Sequence, residues 1–257
     1  MTVLKTENLG FSYGSHNVLD SISLEINEGQ FVSLLGSNGA GKSTMFKCML
    51  GLLPGYTGDV YIRNRNIRQM TVRDIAGEIA YIPQHTAPAF NYSVEDIVLM
   101  GTTAGLRAFS EPKQEEMDRV DEALSRVGIE NLRERCFHLL SGGEKQLAVI
   151  ARALAQNARI LMLDEPTSAL DFANQMRVLK QVRALADEGY TIIQTSHNPE
   201  HSYMFSDRII ALKDGGILAD GNPRDIMRED IISELYGTDV KISSLFDDRV
   251  RVCTDMF

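Results

Sequence analysis

Cysteine is scarce in this chain of 257 residues: Cys48, Cys136 and Cys253 are three, odd in number and widely spaced. Such a pattern builds neither a disulfide framework nor a zinc site, so all three are expected to be reduced structural thiols. Long apolar runs are missing too. No stretch reaches the ~18 consecutive apolar residues needed to span a bilayer, so any membrane role is expected to run through partners. The start, Met1-Thr2-Val3-Leu4-Lys5, lacks the form of a signal peptide, and a cytoplasmic chain is expected. Basic charge is in deficit, 26 Lys and Arg against 35 Asp and Glu, and the net charge of −9 argues against general nucleic-acid binding. Low-complexity linkers and internal repeats are also lacking. The length allows one large α/β domain or two closely joined lobes.

Against these absences stands Gly36-Ser37-Asn38-Gly39-Ala40-Gly41-Lys42-Ser43-Thr44, the spacing of glycines, Lys and Ser that wraps nucleotide phosphates. The run Gln30 to Leu35 before it is short and apolar and reads as a buried parallel strand. After it, Met45, Phe46, Met49 and Leu50 recur at helical spacing from Lys42, and Gly51 supplies a stop. A strand, a glycine turn and a helix N-terminus set backbone N–H groups and the positive end of a helix dipole against phosphate. Lys42 can then reach the β- and γ-phosphates, and Ser43 can ligate Mg²⁺.

A second apolar run, Arg159 to Leu163, delivers Asp164 and Glu165 at its carboxyl end, where open α/β sheets bind ligands. Two adjacent carboxylates divide the work: Asp164 is placed to hold Mg²⁺ through its water shell, and Glu165 to polarise the water that attacks the γ-phosphate. Read alone, the pair could be a loop at a sheet edge; beside an upstream phosphate loop that reading loses its weight. Between the two lies Ser141-Gly142-Gly143-Glu144, just ahead of a helical run from Glu144 to Ala155. This is another helix start ready for an anion, so one chain carries two phosphate-seeking helix ends.

With these motifs the chain resembles the nucleotide-binding subunits of ATP-binding-cassette (ABC) proteins, from about Leu4 to about Val240. The resemblance implies an α/β P-loop NTPase with a RecA-like mixed sheet core and an inserted helical subdomain. It implies that Tyr13 stacks on adenine, and that Gln84 of Tyr81-Ile82-Pro83-Gln84 senses the metal and contacts a membrane partner. Ser141, Gly142 and Gly143 match the signature that approaches the γ-phosphate held by a second subunit. Asp171 of Ser168-Ala169-Leu170-Asp171 matches the segment linking the two sites of a dimer, and His197, after the strand Thr191 to Ser196, the histidine on the γ-phosphate. Glu144 stands where many members carry Gln, and nothing is read into it. A head-to-tail pair of subunits would then sandwich two ATP molecules, and hydrolysis would open the pair.

In organisation, residues 1–85 and 160–240 are expected to form the ATP-binding core and 86–159 a helical lobe carrying the signature helix. Residues 241–257 are expected to be a short C-terminal tail. Ser93-Val94-Glu95-Asp96 reads as a capping box opening a helix through Met100, and Met117, Val120, Leu124 and Val127 as a buried stripe. Gly215-Gly216 marks a hairpin. In the resembled family, the section from His85 to Phe109 receives a short helix from a membrane subunit. Its apolar residues here are Ala87, Pro88, Phe90, Tyr92, Val98, Leu99, Met100 and Leu106, each of which could equally be lobe core. His197 and His201 are four apart, but Pro199 intervenes and no third ligand is apparent, so no metal site is expected there. His16, His85 and His138 have no identifiable partner. Arg63, Arg65 and Arg68 read as a solvated turn face, and the Met residues as core fillers.

Pro166 to Gln175 and Glu234-Leu235-Tyr236-Gly237 resemble the ATPases of importers for iron-siderophore, haem, cobalamin and related metal chelates. The resemblance implies a second copy of the chain, a polytopic permease, a separate substrate-binding protein, and a place on the cytoplasmic face of the membrane. An oxyanion such as molybdate stays open as cargo. The alternative is a soluble, non-transport ABC ATPase, for instance in iron–sulfur cluster assembly. A DNA-repair ATPase is disfavoured by the lack of a coiled-coil insert and zinc cysteines, and a small P-loop kinase by the signature.

Overall fold

Residues with positive φ punctuate the chain, at hairpin turns such as Asp214-Gly215 and at helix ends such as Gly128 and Gly237. The structure is a computed structural model and describes residues 1–84, 91–105 and 112–255. The chain begins with β1 (Thr2–Tyr13), β2 (His16–Asn27), β3 (Phe31–Leu35), α1 (Lys42–Met49), β4 (Thr57–Ile62) and β5 (Arg65–Asn66). Then come α2 (Val72–Glu78), β6 (Ile79–Ile82), α3 (Val94–Leu99), α4 (Gln114–Val127), α5 (Gly142–Ala155), β7 (Ile160–Leu163) and α6 (Phe172–Asp187). The last stretch holds β8 (Thr191–Ser196), α7 (Pro199–Phe205), β9 (Arg208–Lys213), β10 (Gly216–Gly221), α8 (Pro223–Ile226), α9 (Glu229–Tyr236), β11 (Val240–Leu245) and β12 (Val250–Asp255). Two compact units result: Met1–Thr71 with Leu185–Phe257, and Val72–Ala184.

In the first unit, β3 is buried along its whole length, as its unbroken apolar run requires. It lies between β8 and β9, parallel to both, and β10 returns antiparallel to β9. The sheet is therefore mixed. The expected hairpin is present, its turn built by Asp214 and Gly215, whose φ values are 48° and 80°. A second, antiparallel sheet runs β2-β1-β4-β5. Strand β2 alternates buried and exposed residues, the pattern of a strand with one covered face.

The C-terminal end, expected as a short tail over 241–257, forms a hairpin. Strands β11 and β12 pair from Val240↔Asp255 to Leu245↔Val250. The hairpin is fastened to its own unit: the Tyr203 hydroxyl donates to the Asp248 carbonyl at 2.7 Å, Cys253 N–H to Glu200 Oε1 at 3.1 Å, and Ile242 N–H to Glu229 Oε1 at 3.1 Å. Ile242 and Cys253 pack against a core that includes Leu35, Tyr203, Ile209, Ile232 and Leu235. This partial burial of apolar surface, together with the three hydrogen bonds, fastens the last strands to the unit.

In the second unit, β6 and β7 pair in parallel from Ile79↔Ile160 to Ile82↔Leu163. The equal register brings Gln84 and the Asp164-Glu165 pair to the same strand ends. Helices α3, α4 and α5 pack on one another. Val120, Leu124 and Val127 are buried as the stripe predicted, while Met117 is half-buried. Ser93 and Asp96 form the expected capping box, and α3 ends at Leu99.

Candidate active site

The phosphate loop leaves β3 at Leu35 and turns at Gly36, whose N–H donates to the Ser196 carbonyl at 3.2 Å. Ser37, Asn38 and Gly39 are exposed, while Ala40 is buried and its N–H donates to the Ser37 carbonyl at 3.3 Å. Helix α1 starts at Lys42 with Gly41 as its N-cap at φ 92°, and no side chain caps it. A Cβ on Gly41 would stand 2.9 Å from both the Val18 carbonyl oxygen and Leu19 Cδ2, so a larger residue would push the loop out of shape. Lys42 is 5% exposed, and its ammonium donates to the Gly36 and Ser37 carbonyls at 2.8 and 3.0 Å. The charge is thus stored inside the loop by the loop's own backbone. Ser43 and Thr44 follow in the first turn, half-buried. The helix ends where expected, with Leu50 as C-cap and Gly51 at φ 67°.

Two further residues of the same unit were singled out from the sequence. Tyr13 ends β1, is 49% exposed, and meets Phe11 edge-on with ring centres 4.8 Å apart. Two residues apart on one strand share a face, so Phe11 braces a ring whose surface is still open. His197 directly follows β8, and its carbonyl accepts the Tyr236 hydroxyl at 2.8 Å. Tyr236 belongs to the Glu234 to Gly237 segment, which the sequence did not connect to the site.

In the second unit, Asp164 and Glu165 follow β7 directly. The Asp164 N–H donates to the Ile82 carbonyl at 2.9 Å, extending the β6–β7 ladder, and its side chain is buried. Its Oδ2 accepts the Tyr81 hydroxyl at 3.3 Å. Burial and the adjacent Asp164 carboxylate push the Tyr81 phenol up to about 12, which keeps it a donor at neutral pH. Glu165 has φ 46°, a left-handed conformation uncommon outside Gly and Asn, and its carbonyl receives the Ser168 N–H and hydroxyl at 3.3 and 3.2 Å. Its Oε2 accepts from Gln84 Nε2 at 3.1 Å, and the same nitrogen lies 3.4 Å from Ser168 Oγ. Gln84 and Glu165 are thus joined by a hydrogen bond that the sequence did not announce.

The signature opens α5 with Ser141 as N-cap. Ser141 Oγ accepts from Glu144 N–H at 3.4 Å, and Glu144 Oε2 accepts from Ser141 N–H at 2.8 Å, a reciprocal capping box. The Ser141 N–H, and after it the Ser141 hydroxyl, hold the Glu144 carboxyl below its ordinary range. Here the sequence reading missed a signal that it used at Ser93: Ser followed three residues later by an acidic residue. A Cβ on Gly143 would lie 2.3 Å from Asn174 Oδ1, so only glycine permits this closeness between the signature and the start of α6. Asp171 caps that start, accepting from Asn174 N–H at 2.9 Å and from its Nδ2 at 2.7 Å, and both bonds lower its pKa.

Local geometry places the other residues singled out from the sequence. Pro199 is the first residue of α7, with Asn198 as its N-cap, and His201 N–H donates to Asn198 Oδ1 at 2.9 Å. The histidine pair thus straddles a helix start, and burial depresses the His201 pKa. Arg63 stands at the β4–β5 turn with φ 44°, and Arg65 and Arg68 are exposed, in keeping with a solvated hairpin or turn face. Arg63 pairs with Glu28 at 3.1 Å, while Arg68 lies 4.3 Å over the Tyr56 ring and donates to the Tyr56 and Gly58 carbonyls. Met45, Met49, Met162 and Met227 are buried, as fillers should be. Of the section from His85 to Phe109, His85, Ala87, Pro88, Phe90 and Leu106 lie outside the described residues. Val98 is lobe core, Tyr92 and Leu99 are half-buried, and Met100 is exposed.

Comparison with known proteins agrees with these motifs. The family described as ABC transporter matches residues 19–168, more than half of the chain. An ABC transporter ATP-binding protein of Haemophilus influenzae is 37% identical over 236 residues, covering 92% of this chain and 90% of that protein. The iron(3+)-hydroxamate import ATP-binding protein FhuC of Bacillus subtilis is 34% identical over 243 residues, covering 94% and 90%. Among solved structures, a chain of an inward-facing metal-chelate type ABC transporter superposes with a TM-score of 0.88 at 30% identity, covering 100% of this chain and 98% of that one. The α/β P-loop fold expected from the sequence is thereby borne out, and the chain belongs to the ABC transporter family as one of its ATP-binding proteins, which are ATPases.

Proposed function

We propose that this chain is the ATP-hydrolysing subunit that powers import of an iron-siderophore complex, haem, cobalamin or a related metal chelate. One observation carries the reading: similarity spans the chain from end to end with an iron-hydroxamate import ATPase and a metal-chelate type transporter. The soluble assembly alternative gains nothing from either relative. Among the described residues no helix is long and apolar enough to cross a membrane, so coupling to transport needs a permease as partner. In this reading two copies of the chain sit on the cytoplasmic face of the membrane against that permease, and a substrate-binding protein delivers the cargo. The section from His85 to Phe109 is the part assigned to the permease, and exposed Met100 within it suits that role.

The residues divide the chemistry as follows. The backbone of Gly36 to Thr44 receives the phosphates at the start of α1, and Lys42 adds a point charge. Tyr13 offers its open ring to adenine. Ser43, Gln84 and Asp164 are oxygen donors suited to Mg²⁺, which prefers a few such ligands and keeps several waters. Gln84 donates with its nitrogen to Glu165, so its amide oxygen is the acceptor side, and a carboxylate such as Asp164 has about four acceptor positions, of which Tyr81 takes one. Mg²⁺ held by such oxygens would neutralise charge on the β- and γ-phosphates. Glu165 accepts the proton of the attacking water and His197 steadies the γ-phosphate. Ser141, Gly142 and Gly143 present N–H groups to the nucleotide of the other copy, and Asp171 links the two sites. The test is affinity purification from gently solubilised native membranes. A stoichiometric polytopic permease supports the assignment, and recovery with soluble assembly proteins alone overturns it.

A further inference from the structure

We propose that Tyr81 is a positioning residue for the metal-side carboxylate: its hydroxyl fixes Asp164 in the orientation that receives Mg²⁺ with the nucleotide. The inference rests on the assignment of Asp164 given above. The sequence reading quoted Tyr81 only as a neighbour of Gln84 and gave it no task. In the fold it stands on β6 opposite Met162 of β7, two residues before Asp164, and its hydroxyl lies 3.3 Å from Asp164 Oδ2. The Asp164 N–H is held by the Ile82 carbonyl at 2.9 Å, so backbone and side chain of the acid are both tied to β6. Asp164 is 4% exposed, which leaves little bulk water to orient its carboxylate in place of a protein donor. A phenol that donates to Oδ2 takes one of the carboxylate's about four acceptor positions and restrains its rotation. Hydrogen bonds of this outer kind set the orientation of metal-side carboxylates, and their loss costs about 10–100-fold in metal affinity. Two residues past the end of the strand stands Gln84, whose amide reaches Glu165 at 3.1 Å. β6 and the residues that follow it thereby reach both members of the acid pair.

The experiment measures binding of a fluorescent ATP analogue to the full chain as Mg²⁺ is titrated, in a Glu165→Gln background so that hydrolysis does not intervene. Tyr81→Phe keeps the ring and removes only the donor. It should raise the Mg²⁺ midpoint by about 10-fold while leaving analogue binding in EDTA unchanged, because the loop at Gly36 to Thr44 holds the phosphates by itself. Asp164→Asn should raise the midpoint further, and adding Tyr81→Phe to it should change nothing more. If Tyr81→Phe titrates like its parent while Asp164→Asn shifts, the Tyr81 assignment falls and that of Asp164 stands. If Asp164→Asn also titrates like its parent, the Asp164 assignment falls and takes this one with it. Weakened binding in EDTA for Tyr81→Phe, or a further shift on top of Asp164→Asn, would make Tyr81 a general packing residue and overturn the proposal.

Discussion

The two compact units each start a helix with the chemistry of an anion site, but they finish the job differently. Helix α1 opens at Gly41 with no side-chain cap and no acidic residue in its first turn. Its first N–H groups have no acceptor further back in the helix, and Lys42 adds positive charge beside them. Helix α5 opens at Ser141 with a complete capping box, and Glu144 sits in its first turn. Part of that helix's donor capacity is met by its own side chains, and the carboxylate offsets its positive end. A helix start without its own cap is built to be completed by a strong ligand; one with a cap is stable alone and adds a weaker, conditional contact. This is the asymmetry needed if nucleotide binds first to the phosphate loop and the signature joins only when a second copy arrives.

Substitutions can break or sharpen this contrast. The largest effect is expected for Lys42→Ala, which removes the charge stored between the Gly36 and Ser37 carbonyls. Nucleotide binding and phosphate release should both be lost, and near-normal ATPase would undo the primary site. Glu165→Gln should bind ATP normally while hydrolysis falls roughly 10²–10⁴-fold, as for removal of a positioned base, which single-turnover assays would register. Ser141→Arg should lower turnover about 10²-fold, the scale of losing preorganised donors at a reacting phosphate, with binding to the phosphate loop retained. If binding vanished as well, the signature would act within its own chain.

The smallest effect concerns stability. Glu144→Ala removes half of the capping box and should cost about 1 kcal/mol in urea unfolding at neutral pH. The Ser141 bonds hold the Glu144 carboxyl below its ordinary 4.5, so its contribution is full above that value and is lost as pH falls through the lower, folded value. Glu144→Gln should therefore flatten the acid limb of the stability profile, seen by comparing urea midpoints at neutral pH and near pH 4.

What could be read in advance follows from how local each determinant is. The phosphate loop, β8, the Ser93 capping box and the hairpin after β9 are written in short stretches whose residues act on their own backbone. The C-terminal hairpin is not. Apart from Val240 its strand residues are partly buried or exposed, and it is held by Glu229, Glu200 and Tyr203 from other elements, which no local pattern announces. Tyr236 beneath His197 and Tyr81 beside Asp164 share that character, being contacts between residues 39 and 83 positions apart. The Ser141 to Glu144 box is different in kind: its spacing was local and legible, and the signature's resemblance drew attention away from it.

The most direct measurement is sedimentation of the Glu165→Gln chain with and without saturating Mg²⁺ and ATP, beside the same chain carrying Ser141→Arg. Nucleotide should convert the first from monomer to dimer and leave the second monomeric with ATP still bound. A Glu165→Gln chain that stays monomeric and also fails to close within the purified complex, or a Ser141→Arg chain that dimerises equally well, would contradict the division of one ATP site between two copies.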